Sequence, residues 1–391
     1  MTEATTSDTP QAVELRAKMV EDLAASGDLS DPTWQRAFAA VPRHALVPRF
    51  YRQVLADGQV HNKPVDGADP SRRDEWLAAV YADRTLLTRP ADPEAGTPPS
   101  SGTMPSLTAL MLQGLDVADG HRVLDVGTGT GYGTALLCER LGSSNVTSID
   151  RDEEITGPAR RRLADAGYHP TIITADGAHG CLDRAPFDRI IATCSVRSIP
   201  HAWLVQTRSG GKILAPLVAG LALVEVHDDH TARGGFLPNP AYFMPLLSEP
   251  STSVPHQDDP HTGPEHPSRK SQLPGRVVYD NHFRLILELA HPGLTYHHDQ
   301  DPDHAYLQHL DGSTARLRPA PGGARVTQTG PRHLWDAIES THAWWKDIGQ
   351  PRRERFRLTL TTDRQTVWLD HPGGGHTWQL PHDSHTGHHD Q

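Results

Sequence analysis

Apolar residues recur at helical spacing through Val13, Leu15, Met19 and Leu23, stop near residues 28–32, and resume at Trp34 and Phe38. The spacing predicts two helices between residues 11 and 40. Val41-Pro42 ends the second, because a proline disfavours helix at the residue before it. A Gly/Pro/Ser-rich loop at 92–105 precedes a helix that carries Leu107, Leu110, Met111 and Leu115 on one side. From about 122 to 224 the pattern changes. Short apolar runs at 122–126, 145–150, 171–174, 189–193 and 211–216 alternate with helical patterns, which predicts a parallel, doubly wound α/β sheet. Beyond Glu225 the chain is rich in Pro, His, Asp and Ser over 248–275, expected to be an exposed linker or flap. Residues 276–289 read as strand-rich. Residues 332–348 read as a helix bearing Leu334, Trp335, Ile338, Trp344 and Trp345, with its aromatic residues in a core. Runs at 356–361 and 366–369 read as a strand pair turning at Asp363.

The run Val123-Leu124-Asp125-Val126-Gly127-Thr128-Gly129-Thr130-Gly131 carries the chemistry. An apolar strand leads into a glycine turn and then a helix, so the backbone can approach a ligand closely. Twenty-five residues after Asp125, a second apolar run ends in Asp150, placed to accept hydrogen bonds from ribose hydroxyls. The spacing Gly127-x-Gly129-x-Gly131 differs from the dinucleotide pattern. A carboxylate beside the loop would repel a pyrophosphate and suit the cationic sulfonium and ammonium of S-adenosylmethionine (SAM). SAM is therefore the expected cofactor. Asp125 and the loop residues Gly127, Thr128, Gly129, Thr130 and Gly131 are assigned to its amino-acid end and Asp150 to its ribose, with Arg151 grouped among the cofactor-binding residues.

Composition narrows the partners. With 37 Lys+Arg against 48 Asp+Glu, the net charge of −11 disfavours nucleic acid, whose phosphates need clustered positive charge. No apolar run approaches the ~20 residues that span a membrane, and the first ten residues lack the apolar core of a signal peptide, so a cytoplasmic location is expected. Cys138, Cys181 and Cys194 form no C-x-x-C pair and are expected as free thiols. Of 25 histidines, 19 lie from His227 onward, yet none sits in a zinc-ligand spacing, so no metal is expected; the tail residues His382, His385, His388 and His389 would bind one only adventitiously.

Further motifs carry a family resemblance. Val41-Pro42-Arg43, Val47-Pro48, Tyr81-Ala82-Asp83-Arg84 and Ser101-Gly102-Thr103-Met104-Pro105 resemble the N-terminal part of the protein-L-isoaspartate O-methyltransferases. The glycine motif, Ala175-Asp176-Gly177, Ala185-Pro186-Phe187-Asp188-Arg189-Ile190-Ile191, Ile199-Pro200 and Ser209-Gly210-Gly211-Lys212 continue the likeness to about residue 216. The resemblance implies a Rossmann-like class I SAM-dependent methyltransferase core with N-terminal helices and a C-terminal α+β extension. It also implies a peptide or protein substrate carrying Asp or isoAsp. Thr103, where the family usually has serine, would orient the substrate carboxylate with help from Ser101. Met104 and Ser195 are candidate substrate contacts, Ser195 because it follows the fourth strand. The resemblance also puts Asp176-Gly177 at the adenine edge of the cofactor; Asp176 equally reads as a turn residue, since Asp-Gly is a common turn pair, and Thr103 as a helix N-cap.

The domain organisation expected is 1–100 (N-terminal helices and substrate loop), 101–225 (SAM-binding core), 226–275 (linker or flap) and 276–391 (peptide-recognition domain). The long extension resembles the family subgroup encoded beside ribosomally made, modified peptides, lanthipeptide and graspetide systems among them. That likeness implies methylation of an Asp side chain in a macrocycle, leading to aspartimide or isoaspartate. Alternatives are isoaspartate repair, methylation of a small-molecule carboxylate, and a non-catalytic peptide-binding module on a degenerate SAM fold. Base amine methylation lacks its Asn/Asp-Pro-Pro-aromatic signature, the fourth strand being followed by Ala192-Thr193-Cys194-Ser195. On this reading, removing the residues after Glu225 should abolish activity on the cognate peptide while sparing SAM binding, if the remaining fragment stays folded.

Overall fold

The structure is a computed structural model and describes residues 8–57, 59–92, 97–246, 267–297, 301 and 303–381. Two capped helices open it. In α1 (Pro10–Ser26) the Thr9 hydroxyl accepts from Ala12 N–H and Gly27 ends the helix in the left-handed conformation. In α2 (Pro32–Ala40) Asp31 Oδ1 accepts from Thr33 N–H at 2.7 Å. After α3 (Arg43–Leu46) come β1 (Arg49–Ala56), β2 (Gln59–Asp66), α4 (Arg73–Tyr81), β3 (Leu86–Arg89), β4 (Ser100–Gly102) and α5 (Pro105–Gly114). The four strands form an antiparallel sheet ordered β2-β1-β3-β4. The region expected to be helices and loop thus contains a sheet. Its strands lack an apolar alternation because β2 is an exposed edge along most of its length.

The central layer follows: β5 (Val123–Val126), α6 (Tyr132–Leu141), β6 (Val146–Asp150), α7 (Glu153–Asp165), β7 (Thr171–Thr174), β8 (Phe187–Ala192), α8 (His201–Gln206) and β9 (Thr207–Leu217). These five strands are parallel in the order β7-β6-β5-β8-β9. The winding reverses between β5 and β8, and a ligand crevice is expected beyond the carboxyl ends of those two strands. The expected Rossmann-like core is present. It is extended by antiparallel β10 (Gly220–Val226) and β11 (Ala232–Pro240).

The chain then leaves the sheet. β12 (Ser268–Ser271), α9 (Asn281–Ala290), β13 (Leu294–His297), β14 (Ala305–His309), β15 (Thr314–Ala320), β16 (Gly323–Thr329) and α10 (Leu334–Asp347) make a five-stranded antiparallel sheet with two helices. It returns through β17 (Phe356–Leu360), β18 (Gln365–Leu369) and β19 (Thr377–Gln379), with β17 beside β11, so the central sheet has ten strands. The expected strand pair turning at Asp363 is β17–β18, registered Phe356↔Leu369.

Three expectations need revision. Residues 281–290 are helix, not strand: Leu285, Leu287 and Leu289 alternate like a strand, but Phe283, Ile286 and Leu287 are also buried at helical spacing. Asp280 Oδ1 caps the helix, accepting from His282 and Phe283 N–H at 2.9 Å each. Residues 276–391 are not a separate unit, because β17–β19 belong to the central sheet. Of the expected linker at 226–275, residues 232–240 are β11 and 268–271 are β12, while 247–266 and the histidine tail lie outside the described residues.

Alternation along the strands gives the sheet two cores. Val123, Val146, Ile191 and Leu214 pack with α6 and the N-terminal helices, including Met19, Trp34 and Phe38. Leu124, Val126, Ile149, Ile190 and Ile213 pack on the opposite side in a cluster that includes Phe283, Trp335 and Phe356.

Candidate active site

The turn after β5 is built by backbone constraints. Gly127 has φ +101°, and a Cβ there would lie 2.6 Å from Thr193 Oγ1. That hydroxyl donates to Gly127 C=O at 2.8 Å, so the ends of β5 and β8 touch with no room for a side chain. Gly131 (φ +91°) starts α6, and a Cβ there would approach Leu163 Cγ to 3.2 Å. Between them, Gly129 N–H donates to Asp150 Oδ2 at 3.2 Å. Burial raises the Asp150 pKa, opposed by that N–H. Asp125 is fully enclosed. Its Oδ2 accepts from Thr134 Oγ1 at 2.6 Å and Ser148 Oγ at 2.9 Å, and burial still raises its pKa to about 6.

A cleft of ≈ 350 Å³ opens where the winding reverses. Ser101, Thr103, Gly127, Gly129, Asp150, Arg151 and Gly177 line it, so the structure brings together residues up to 76 positions apart (101 to 177) that the sequence reading grouped. Thr128 and Thr130 line a smaller chamber of ≈ 50 Å³, together with Asp125 and with Ser101 and Thr103, which also line the cleft. Thr128 Oγ1 is also 2.7 Å from Ser148 Oγ.

Four candidates stand outside the cleft lining. Gly131 packs on Leu163. Asp176 Oδ1 caps its own turn, accepting from Ala178 N–H at 2.8 Å, and Gly177 faces the cleft instead. Met104 precedes α5 and its carbonyl accepts from Thr108 N–H. Ser195 is a latch. Its Oγ donates to Phe243 C=O at 3.1 Å, its N–H donates to Met244 C=O at 2.8 Å, and its own carbonyl accepts from Leu246 N–H at 2.8 Å. The segment it holds, Phe243 to Leu246, forms a wall of the cleft.

That wall went unread in the sequence, as did Arg89, Asp152, Thr193 and Cys194, which also line the cleft. Arg89 Nη1 pairs with Asp152 Oδ2 at 2.5 Å on the rim. Thr193 and Cys194 had a usable signal, since they follow β8 directly, and Asp152 follows Asp150-Arg151; Arg89 and the wall had none within a contiguous motif. Burial pushes the Cys194 thiol above its ordinary range, which disfavours the thiolate. Among the described residues no group of three or more His, Cys, Asp or Glu side chains could hold a metal ion. No helix there is long and apolar enough to cross a membrane.

Comparison with known proteins places this geometry. A profile for Protein-L-isoaspartate(D-aspartate) O-methyltransferase (PCMT) matches residues 73–232. The protein-L-isoaspartate O-methyltransferase of Ignicoccus hospitalis is 32% identical over 241 residues, covering 60% of this chain and 99% of that protein. The chain belongs to the protein-L-isoaspartate O-methyltransferase family. A second member, protein-L-isoaspartate O-methyltransferase 1 of Archaeoglobus fulgidus, is 31% identical over 206 residues, 52% of this chain and 80% of its own length. A solved structure named protein-L-isoaspartate O-methyltransferase superposes with a TM-score of 0.52 at 18% identity, covering 91% of this chain and 100% of that one. At that identity the likeness concerns the fold alone, and it extends through most of the C-terminal region.

The protein is a SAM-dependent O-methyltransferase with a class I methyltransferase fold. The site fits the cofactor. Backbone at Gly127 and Gly129 borders the cleft, the Asp150 carboxylate lines it, and Val126, Ile149 and Leu246 supply apolar walls.

Proposed function

We propose that the protein methylates the free carboxylate of an L-isoaspartyl residue in a peptide or protein. The observation that carries this reading is the meeting of the Ser101–Thr103 loop with the Gly127–Gly129 turn across one cleft, within a chain of this family. When bound, SAM supplies a sulfonium methyl; a carboxylate oxygen bonds to it as the carbon–sulfur bond breaks, giving a methyl ester and S-adenosylhomocysteine. Such a carboxylate, with a pKa near ~4, is already ionised at pH 7, so the protein needs no strong general base. Its work is orientation, which can supply ~7–11 kcal/mol. Thr103 and Ser101 are assigned to hold the substrate carboxylate, Asp150 the ribose, and the glycine turn the amino-acid end of the cofactor.

A second reading, methylation of an Asp side chain within a constrained ribosomal peptide, draws on the wall Phe243–Leu246, which lies beyond the matched profile at 73–232. Mass spectrometry of an isoaspartyl peptide and its aspartyl twin, each incubated with enzyme and SAM, separates the two. A gain of one methyl on the isoaspartyl form alone is expected. Silence on both, with SAM binding intact, would overturn the first reading in favour of the second.

A further inference from the structure

The small chamber that shares Ser101, Thr103, Gly127 and Gly129 with the cleft holds a group that the assignments above leave unused. Arg43 lines the chamber, is 1% exposed, and has no salt-bridge partner among the described residues. Its Nη2 donates to Thr103 C=O at 3.0 Å, and its guanidinium carbon lies 4.9 Å from the centre of the Tyr132 ring. Its Nε and Nη1 are buried without a hydrogen-bond partner, as is Tyr132 Oη. The carboxylate whose field reaches it, Asp83, accepts from Ser106 N–H. A buried cation in this condition is costly unless an anion completes it.

The rest of the chamber says which anion. Gly133 and Tyr132 bring the N-terminal turn of α6, a ten-residue helix, to its wall, an arrangement that favours negative charge. Asp125 stands in the same lining and would repel a lone carboxylate. A cationic and an anionic side chain around one small space match a zwitterion, the two charged ends of an α-amino acid. A volume of ≈ 50 Å³ admits a few heavy atoms at most, too little for an adenosine.

We propose that this chamber is a carboxylate subsite in which Arg43 binds the α-carboxylate of the cofactor's methionine end, with Asp125 facing its ammonium group. The inference rests on SAM occupying the main cleft and is independent of which peptide is methylated. The competing source of the same chemistry is the substrate carboxylate, which would also approach Thr103.

Calorimetric titration of the full chain tests it with three ligands: S-adenosylhomocysteine, its decarboxylated analogue, and 5′-methylthioadenosine, which lacks the amino-acid end. Wild-type protein is expected to bind the decarboxylated analogue at least tenfold more weakly than S-adenosylhomocysteine. Arg43→Met is expected to lose a similar factor for S-adenosylhomocysteine alone, and Arg43→Lys to recover part of it. Equal wild-type affinity for the first two ligands would overturn the proposal without recourse to any variant. Unchanged S-adenosylhomocysteine binding by Arg43→Met, with a raised KM for an isoaspartyl peptide, would also overturn it and give the guanidinium to the substrate. Failure of wild-type protein to bind any of the three would remove the SAM reading of the cleft, and this proposal with it.

Discussion

Asp125 shows how one residue can serve a site and tax the fold. The sequence put it beside the glycine turn, and the structure adds that its Oδ2 is spent on Thr134 and Ser148 hydroxyls in a fully enclosed place. Its folded pKa of about 6 lies above the ordinary ~3.9 of an unfolded Asp. The native state therefore binds more protons than the unfolded state between about pH 4 and pH 6, and this residue's contribution to stability falls as pH rises through that window. A difference of about 2 pKa units corresponds to ~3 kcal/mol at most. Asp125→Asn keeps an acceptor for Thr134 and removes the charge. Urea unfolding at pH 4.5, 6 and 7.5 should show a flatter pH dependence in the variant and a gain of about 1–3 kcal/mol at pH 7.5. A slope unchanged from wild type would place the responsible ionisation elsewhere. Strand alternation could foretell that Asp125 faces away from Leu124; it could not name the hydroxyls it meets.

At the scale of elements, the decisive piece is the short segment after β11. Phe243 to Leu246 is held from the core side by Ser195 and joined to the C-terminal region through its neighbour Tyr242, whose Oη donates to Asn281 Oδ1 at 2.8 Å. The guanidinium of Arg284 lies 5.1 Å from the ring centre of Tyr242 and 3.5 Å from that of Tyr296. α9 thus braces a wall of the cleft. Ser195→Ala removes one hydrogen bond worth ~1 kcal/mol and leaves the two backbone bonds. The dissociation constant for S-adenosylhomocysteine should rise roughly two- to fivefold, with the thermal midpoint within about 2 °C of wild type. Unaltered affinity would mean that the backbone bonds alone fix the wall. The misreading of α9 and the silence of the sequence on β13–β16 share a cause. In α9 the leucines at 285, 287 and 289 imitate a strand, and β13–β16 carry mixed polar and apolar positions whose sense comes only from their sheet partners.

For the whole molecule, two cores back to back on one sheet change what the C-terminal region is for. Leu124, Val126 and Ile149 of the parallel strands β5 and β6 belong to the same apolar cluster as Phe283, Trp335 and Phe356. Gln365 Nε2 also donates to Ile199 C=O at 2.6 Å, tying β18 to the loop after β8. Removing everything after Glu225 would leave β10 as a bare edge, strip that cluster of its C-terminal half, and delete Phe243–Leu246 from the cleft. The condition for such a fragment to keep SAM binding, that it stays folded, is therefore not expected to be met. It should aggregate or lack a cooperative unfolding transition, seen by size-exclusion chromatography and circular dichroism. A soluble, cooperatively folding fragment that binds S-adenosylhomocysteine at wild-type affinity would show that the C-terminal half is not part of the core.

The sequence by itself determined the parallel core, the glycine turn and Asp150. Each of these rests on local rules, such as strand and helix period, the left-handed φ at Gly127 and Gly131, and an acid closing the next strand, and local rules are written in neighbouring residues. Only the tertiary structure decided that Arg43 reaches Thr103 across 60 positions, that Ser195 latches the wall at Phe243 rather than facing a ligand, and that β17 pairs with β11 over more than a hundred residues. Those contacts are set by which apolar faces bury one another, and that choice is made by the folded chain as a whole.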